Sequence, residues 1–145
     1  MKRNILYIIC CMIALSACSI LKKSNSSAQN ENAITDQKWK LIELEGKPVA
    51  EKINGKVPFI LFQKEDSRYT GTAGCNGLNG TFTLADHNRI KFSQGISTMM
   101  ACEDMTAETG LNKVLQTADN YTINGNVLSL NKARMAPLAR FERIK

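Results

Sequence analysis

The chain has 145 residues, 19 Lys and Arg against 13 Asp and Glu, and a formal net charge of +6. Its basic residues are interspersed with acidic ones, and no basic block with interleaved aromatic residues occurs, which argues against nucleic acid as a partner. Mild basicity of this kind favours solubility and a weak attraction to anionic lipid.

The first residues predict an export signal. Lys2 and Arg3 precede an apolar run over residues 5–15. These eleven residues are too few to span a bilayer, which takes about twenty, but they have the length of the hydrophobic region of a signal peptide. We expect residues 1–17 to be removed, which lowers the net charge to +4 because two basic residues and no acidic residue are lost.

The expected cleavage site lies directly before a cysteine. The sequence Leu15-Ser16-Ala17-Cys18 resembles the lipobox of bacterial lipoproteins, in which the cysteine thiol receives diacylglycerol and its freed amine is acylated. More than one acyl chain gives stable anchoring, since each buried methylene contributes about 0.8 kcal/mol. Cys18 is therefore the predicted lipidation site and membrane contact. The alternative is an ordinary secretory signal with an incidental cysteine.

The residues after the predicted lipid anchor form a polar segment. Residues 18–36 are poor in aromatic residues and lack strand or helix periodicity, which is typical of a flexible tether. As a random coil the tether reaches roughly 20–25 Å from the anchor. Ser19 is not the aspartate that retains lipoproteins in the inner membrane of enteric bacteria, and no acidic cluster follows. The expected location is the cell envelope, at the outer membrane facing the periplasm.

Residues 37–145 predict one β-rich domain, because about 110 residues suffice for one small core and not for two. Short apolar runs separated by Gly, Asn and Asp are typical of strands. Eight strands are predicted, over residues 39–44, 59–64, 68–73, 81–84, 89–93, 121–123, 127–130 and 138–142. The clearest hairpin joins residues 121–123 to 127–130, because Asn124-Gly125 supplies the positive φ that a tight turn needs.

One helix interrupts the β pattern between residues 106 and 119. Leu111, Val114 and Ala118 recur at helical spacing and give the helix one apolar face, and Asn120 is the predicted helix stop. Strands at close spacing without repeated βαβ units favour an antiparallel sheet. The expected fold class is mainly β (α+β), a small antiparallel β-barrel-like or curled sheet with one packed helix.

The domain carries motifs in a recognisable order. They are Trp39-x-Leu41, Gly71-x-x-Gly74-Cys75-Asn76-x-x-x-Gly80-x-Phe82 and Ser97-Thr98-Met99-Met100-Ala101-Cys102. In this order and spacing, residues 37–143 resemble the META domain, the HslJ-like family of bacterial envelope and heat-shock-associated proteins. The resemblance implies a small β-rich, barrel-like fold with one helix and a role in the envelope or in stress. It implies no established enzymatic activity.

Two cysteines remain once the signal peptide is removed and Cys18 is acylated. Cys75 and Cys102 are an even pair, and an oxidising compartment favours a disulfide between them. Closing their 27-residue separation stabilises the fold by roughly 3–4 kcal/mol in the chain-entropy model. Reduced buried thiols and a metal-binding pair are the alternatives. Zinc needs four Cys or His ligands, whereas the mature chain offers these two and His87, so we expect neither a metal nor another cofactor.

The glycine-rich segment around Cys75 invites comparison with a phosphate-binding loop, whose backbone amides approach an anion. Such a loop ends in Gly-Lys-Ser/Thr and opens a helix, whereas this segment leads into a predicted strand. We therefore expect Gly74, Asn76 and Gly80 to form a structural motif that supplies turn geometry beside the cysteine. A ligand-binding loop is the alternative.

Several remaining residues bear on chemistry. His87 lies among turn residues and is expected to be solvated, and no nucleophile with an oriented base stands out. Met99 and Met100 are expected to fill the core beside Cys102, with an apolar binding surface as the alternative. Glu108 is expected to favour the first turn of the helix or to hold a buried polar contact.

The favoured function is a non-catalytic envelope module that binds another envelope component, such as a protein, under envelope or heat stress. A small apolar ligand in the mouth of a β-barrel is the alternative. An enzyme is not expected, and the sequence does not indicate an oligomeric state.

Overall fold

The computed structural model describes residues 33–145. The predicted signal peptide, Cys18 and most of the predicted tether lie outside these residues. The strands are β1 (Lys38–Leu44), β2 (Lys47–Pro48), β3 (Phe59–Gln63), β4 (Arg68–Thr72), β5 (Gly77–Ala85), β6 (Arg89–Phe92), β7 (Ile96–Ser97), β8 (Asn120–Asn124), β9 (Val127–Asn131) and β10 (Ala139–Ile144). Helix α1 (Thr106–Thr117) lies between β7 and β8. None of the helical segments in residues 33–145 has the length and apolarity needed to cross a membrane.

The antiparallel sheet closes on itself. Its main path is β10-β9-β8-β6-β5-β4-β3-β1, and β1 also pairs with β10, so the strands form a ring. The pairing between β6 and β8 is short and rests on Arg89 opposite Asn120. Strand β7 lies off this path and pairs with β5. This arrangement confirms the expected fold class, an antiparallel sheet with a packed helix.

The core follows from the alternation of side chains along the strands. Trp39 and Leu41 of β1 point inward, and Trp39 Nε1 donates a buried hydrogen bond of 2.9 Å to the carbonyl of Ile34. Phe62 and Phe82 meet edge to face with their ring centroids 5.1 Å apart. The predicted apolar face of α1 is buried as well. These side chains occupy the interior of the ring.

Apart from shifts of one or two residues at strand ends, the predicted and observed elements differ in three places. Strand β5 begins at Gly77 rather than at residue 81. Strands β2 and β7 have two residues each, too few to show a periodicity in the sequence. Helix α1 ends at Thr117 because Ala118 is extended, so Asn120 opens β8 instead of stopping the helix.

Asp119 fixes the turn between α1 and β8. Its Oδ1 accepts hydrogen bonds from the backbone N–H of Ala133 at 2.9 Å and from Asn120 Nδ2 at 2.8 Å. Its Oδ2 lies 3.2 Å from Lys132 Nζ. These contacts lower the pKa of Asp119 to about 2 because they favour its charged form, and the hydrogen bond from Ala133 has the largest effect.

Candidate functional site

The connection between β4 and β5 carries the glycine-cysteine-asparagine motif. Gly74 has φ +112°, and a Cβ added there would lie 2.5 Å from Cβ of Ile53. Both the backbone conformation and the lack of space therefore require glycine. The N–H of Gly74 donates to Thr72 Oγ1 at 3.1 Å, which closes the turn. Gly74 thus has the turn geometry expected from the sequence.

A disulfide joins this connection to the segment before α1. The Cα atoms of Cys75 and Cys102 lie 5.9 Å apart, and the bond spans 27 residues. Cys75 is buried and Cys102 is half-buried. The covalent link therefore holds the β7–α1 segment against the wall of the ring.

Asn76 is the centre of a hydrogen-bonded group that we call the Asn76 cluster, formed by Asn76, Thr98, Met100 and Glu108. Asn76 is 2% exposed. Its Oδ1 accepts from Thr98 Oγ1 at 2.7 Å and from the N–H of Met100 at 2.8 Å. Its Nδ2 donates to the carbonyl of Met100 at 3.1 Å and to Glu108 Oε1 at 2.8 Å. Every donor and acceptor of the side-chain amide is therefore used.

Glu108 supplies the acidic side of the Asn76 cluster. It is the third residue of α1 and is 5% exposed. Its Oε2 accepts from the backbone N–H of Asn76 at 2.7 Å, so that both carboxylate oxygens are bound by one residue. Burial of a carboxylate is unfavourable unless such hydrogen bonds replace water, and the helix N-terminus adds a favourable field. Glu108 lies in the first turn of α1 and also makes a buried polar contact, so the structure agrees with both expectations for it.

A turn between β2 and β3 supports the cluster from another side. Lys56 Nζ donates to the carbonyl of Cys75 at 2.7 Å, and Asn54 Nδ2 donates to the carbonyl of Asp104 at 2.8 Å. Hydrogen bonds from the backbone and side chain of Thr106 hold the pKa of Asp104 below its ordinary value. No sequence pattern marks Asn54 or Lys56, because each binds a backbone carbonyl, a group that every residue carries.

The segment between β6 and α1 exposes apolar side chains, and we call residues 96–100 the exposed apolar loop. Met99 is 100% exposed, Ile96 is 78% exposed, and Met100 is about half exposed. The expectation that Met99 and Met100 fill the core is therefore wrong. Asn76 holds the loop through the backbone of Met100, which leaves the methionine side chains directed away from the core.

Gly80 does not belong to the turn. It lies inside β5, and its φ is outside the positive range. A Cβ added there would lie 2.6 Å from the ring and hydroxyl of Tyr69. The expected turn role of Gly80 is wrong, since this glycine is required by the packing of an aromatic side chain on the neighbouring strand.

The other candidate residues lie apart from the cluster. His87 is exposed at positive φ in the turn between β5 and β6. Within residues 33–145, no three His, Cys, Asp or Glu side chains are grouped as a metal ion would require. Chemically, the Asn76 cluster fixes the conformation of a loop, because the oxygens of Glu108 and the amide of Asn76 are engaged with each other.

Comparisons with known proteins agree with this fold. The family model of the META domain matches residues 32–145. No curated protein matches the sequence. A protein solved by NMR superposes with a TM-score of 0.62 at 19% identity, over 77% of this chain and 92% of that chain.

Two further solved structures are similar. An NMR structure of a protein from Burkholderia xenovorans has a TM-score of 0.62 at 18% identity, over 80% of this chain and 87% of that chain. A crystal structure of a DUF4847 family protein from Bacteroides vulgatus has a TM-score of 0.52 at 15% identity, over 79% of this chain and 95% of that chain. At these identities the likeness concerns the fold alone.

Proposed function

The chain belongs to the META domain family, and we propose that it is a non-catalytic lipoprotein of the cell envelope that binds another envelope component under envelope or heat stress. The proposed contact surface is the exposed apolar loop, and the proposed partner is a protein. The observation that carries this proposal is the full exposure of Met99 on a backbone that the disulfide and the Asn76 cluster hold in place.

Exposed apolar side chains are normal when scattered, whereas neighbouring ones favour an interaction surface. Ile96, Met99 and Met100 are exposed within five residues of each other. Methionine adapts its shape to a partner because its side chain is unbranched and polarisable. A backbone fixed before binding reduces the entropy lost in the complex, so the exposed apolar loop combines a prepared backbone with adaptable side chains.

The envelope location is supported by the sequence. The lipobox-like Leu15-Ser16-Ala17-Cys18 favours a lipid anchor, and a disulfide between Cys75 and Cys102 is typical of an oxidising compartment. Ser19 favours the outer membrane in a two-membrane cell, with the domain facing the periplasm. The tether, residues 18–36, would then let the domain move about 20–25 Å from its anchor.

A site-specific crosslinking experiment tests the proposed contact. A photo-crosslinking amino acid replaces Met99 in the full chain, and cells are irradiated with and without heat or envelope stress. Met135, which is 66% exposed in the loop before β10, is the matched control position. We expect a discrete crosslinked protein from position 99 that becomes more abundant under stress. Equal products from the two positions, or none from position 99, would contradict the proposal.

The anchor is tested separately by Cys18→Ala. Because the thiol is the predicted acylation site, the variant should leave the membrane fraction or accumulate as an uncleaved precursor. Normal processing together with unchanged membrane fractionation would rule out the lipoprotein assignment, whatever the crosslinking result.

The alternative function, a small apolar ligand inside the ring, has less support. Trp39, Phe62 and Phe141 are fully buried and fill the interior, as side chains do in small closed sheets. An apolar groove of about 290 Å³ lies outside the ring, between β2 and the first half of α1. An apolar ligand that binds outside the ring would fit this groove.

A further inference from the structure

A polar cleft opens where β7 and the residues that follow β6 face the second half of α1. Its volume is about 200 Å³, below the roughly 300–1,000 Å³ of pockets for drug-sized molecules. Tyr69 and Leu78 contribute from the sheet, and Asn112, Leu115 and Gln116 contribute from the helix. The cleft is therefore suited to one small ring-sized group.

The described residues that line the polar cleft are all uncharged. Four of them carry side-chain amides, namely Asn79, Gln94, Asn112 and Gln116. None of these amides has a hydrogen-bond partner among residues 33–145. Each amide offers two donors and one acceptor, so the rim presents unused hydrogen-bonding capacity of both kinds and no net charge.

Tyr69 is the buried polar residue of the polar cleft. It is 2% exposed, and its ring packs edge to face on Phe92 with centroids 5.5 Å apart. Within the described part of the chain, its hydroxyl has no hydrogen-bond partner. The hydroxyl oxygen is not among the buried side-chain atoms that lack a partner, so it is accessible from the cleft and can bind a ligand atom there.

Two glycines shape the surroundings of the Tyr69 hydroxyl. A Cβ at Gly80 would lie 2.6 Å from the hydroxyl oxygen, and a Cβ at Gly95 would overlap it. Glycine at both positions therefore leaves space for the hydroxyl beside the cleft. Burial raises the pKa of Tyr69, which keeps the hydroxyl protonated and able to donate.

We propose that the polar cleft binds a neutral saccharide unit, of the N-acetylated hexosamine kind, with Tyr69 and the four amides as its hydrogen-bonding groups. A sugar ring offers hydroxyl groups to the rim, and its acetamido group pairs with side-chain amides. Ile96, which is 78% exposed, provides apolar surface for the C–H face of the ring. A charged ligand would find no side chain of opposite charge among the lining residues.

A peptide is the less suitable occupant. An extended peptide would pair along a strand edge, whereas β7 has only two residues, Ile96 and Ser97. Met99 and Met100 of the exposed apolar loop do not line the cleft, whereas Ile96 and Ser97 belong to both surfaces.

The test is an amide NMR titration of the full chain in a detergent without a sugar head group. The probes are N-acetylglucosamine and its β-1,4-linked trimer, with glucuronic acid as a charged probe and a capped trialanine as a peptide probe. We expect the two N-acetylated probes to shift signals of Gly95, Ser97 and Asn112. Absence of shifts at millimolar concentrations, shifts confined to other residues, or tighter binding of trialanine or glucuronic acid would overturn the proposal.

Two variants connect binding to the cleft. Tyr69→Phe keeps the ring and removes the hydroxyl, and loss of one hydrogen bond should weaken binding about tenfold. Gln116→Ala, on the exposed rim, should weaken binding several-fold, while Gln63→Ala on β3 is the matched control and should not. If Tyr69→Phe fails to fold, the comparison of Gln116→Ala with Gln63→Ala tests the proposal instead. Equal affinities of Gln116→Ala and Gln63→Ala would refute the assignment of the cleft.

Discussion

Replacement of Asn76 by alanine is the sharpest test of the Asn76 cluster. The substitution removes the amide that binds Glu108 Oε1 at 2.8 Å, Thr98 Oγ1 at 2.7 Å and the backbone of Met100. Thr98 and Met100 are exposed enough for water to replace part of what they lose. Glu108 is 5% exposed and keeps the backbone N–H of Asn76 alone. The loss of the charge-assisted hydrogen bond to Glu108 is the largest part of the free-energy cost, so we expect Asn76→Ala to destabilise the fold by about 2–3 kcal/mol.

Urea denaturation of the full chain measures this change, with the fluorescence of Trp39 as the probe, because the single tryptophan is fully buried. Asn112→Ala is the matched control, since its amide has no partner among the described residues and alanine favours a helix. This control should be as stable as the unmodified chain or slightly more so. Unchanged stability of Asn76→Ala, together with loss of the crosslinked partner, would show that Asn76 acts as a functional surface and refute the structural reasoning.

Three further predictions concern stability. Protein isolated without reductant should be lighter than its dithiol form by about two hydrogen atoms in mass spectrometry, and Cys75→Ser with Cys102→Ser should lower the melting temperature while circular dichroism still shows the fold; two free thiols would contradict this. Gly74→Ala should destabilise the chain in urea by more than about 1 kcal/mol, whereas Gly77→Ala, with open space and no positive φ, should be neutral; equal midpoints would exclude the steric argument. Because the pKa of Asp119 is about 2 and its ordinary value is 3.8, its stabilising contribution is present above pH 4 and declines as the pH falls toward about 2; Asp119→Asn should flatten that part of the stability profile, and an unchanged profile would disprove it.

The sequence predicts those features that depend on local pattern. Short apolar runs separated by turn residues identified all eight longer strands, and helical spacing identified α1 around Leu111 and Val114. The sequence also marked Asn76 and Glu108 as unusual. Their contact joins residues 32 positions apart, so a local periodicity in the sequence does not predict it.

Exposure was predicted less well than secondary structure. The hydrophobicity of Met99 favours its burial, yet its side chain is fully exposed. The loop is held by hydrogen bonds between Asn76 and the backbone of Met100, so no methionine side chain has to pack into the core to hold it. The motif makes Gly80 look like a turn glycine, but glycine is required there because Tyr69 on the adjacent strand occupies the space that a Cβ would need. The polar cleft is assembled from β4, β5, residues 93–95, β7 and α1, and its residues share no motif. Such features depend on which elements pack together, and a single sequence does not contain that information.

The disulfide and the Asn76 cluster act on different states of the chain. A cross-link between Cys75 and Cys102 restricts the unfolded chain, so its contribution in the entropy model does not depend on where the loop lies in the folded state. Asn76 binds the backbone of Met100 and therefore acts only when the fold is formed. Presentation of Met99 in the folded chain therefore depends on the hydrogen bonds of Asn76 as well as on the disulfide. A chain that has lost the disulfide but remains folded keeps the hydrogen bonds between Asn76 and the backbone of Met100. Its exposed apolar loop should therefore still have the conformation that binds the partner.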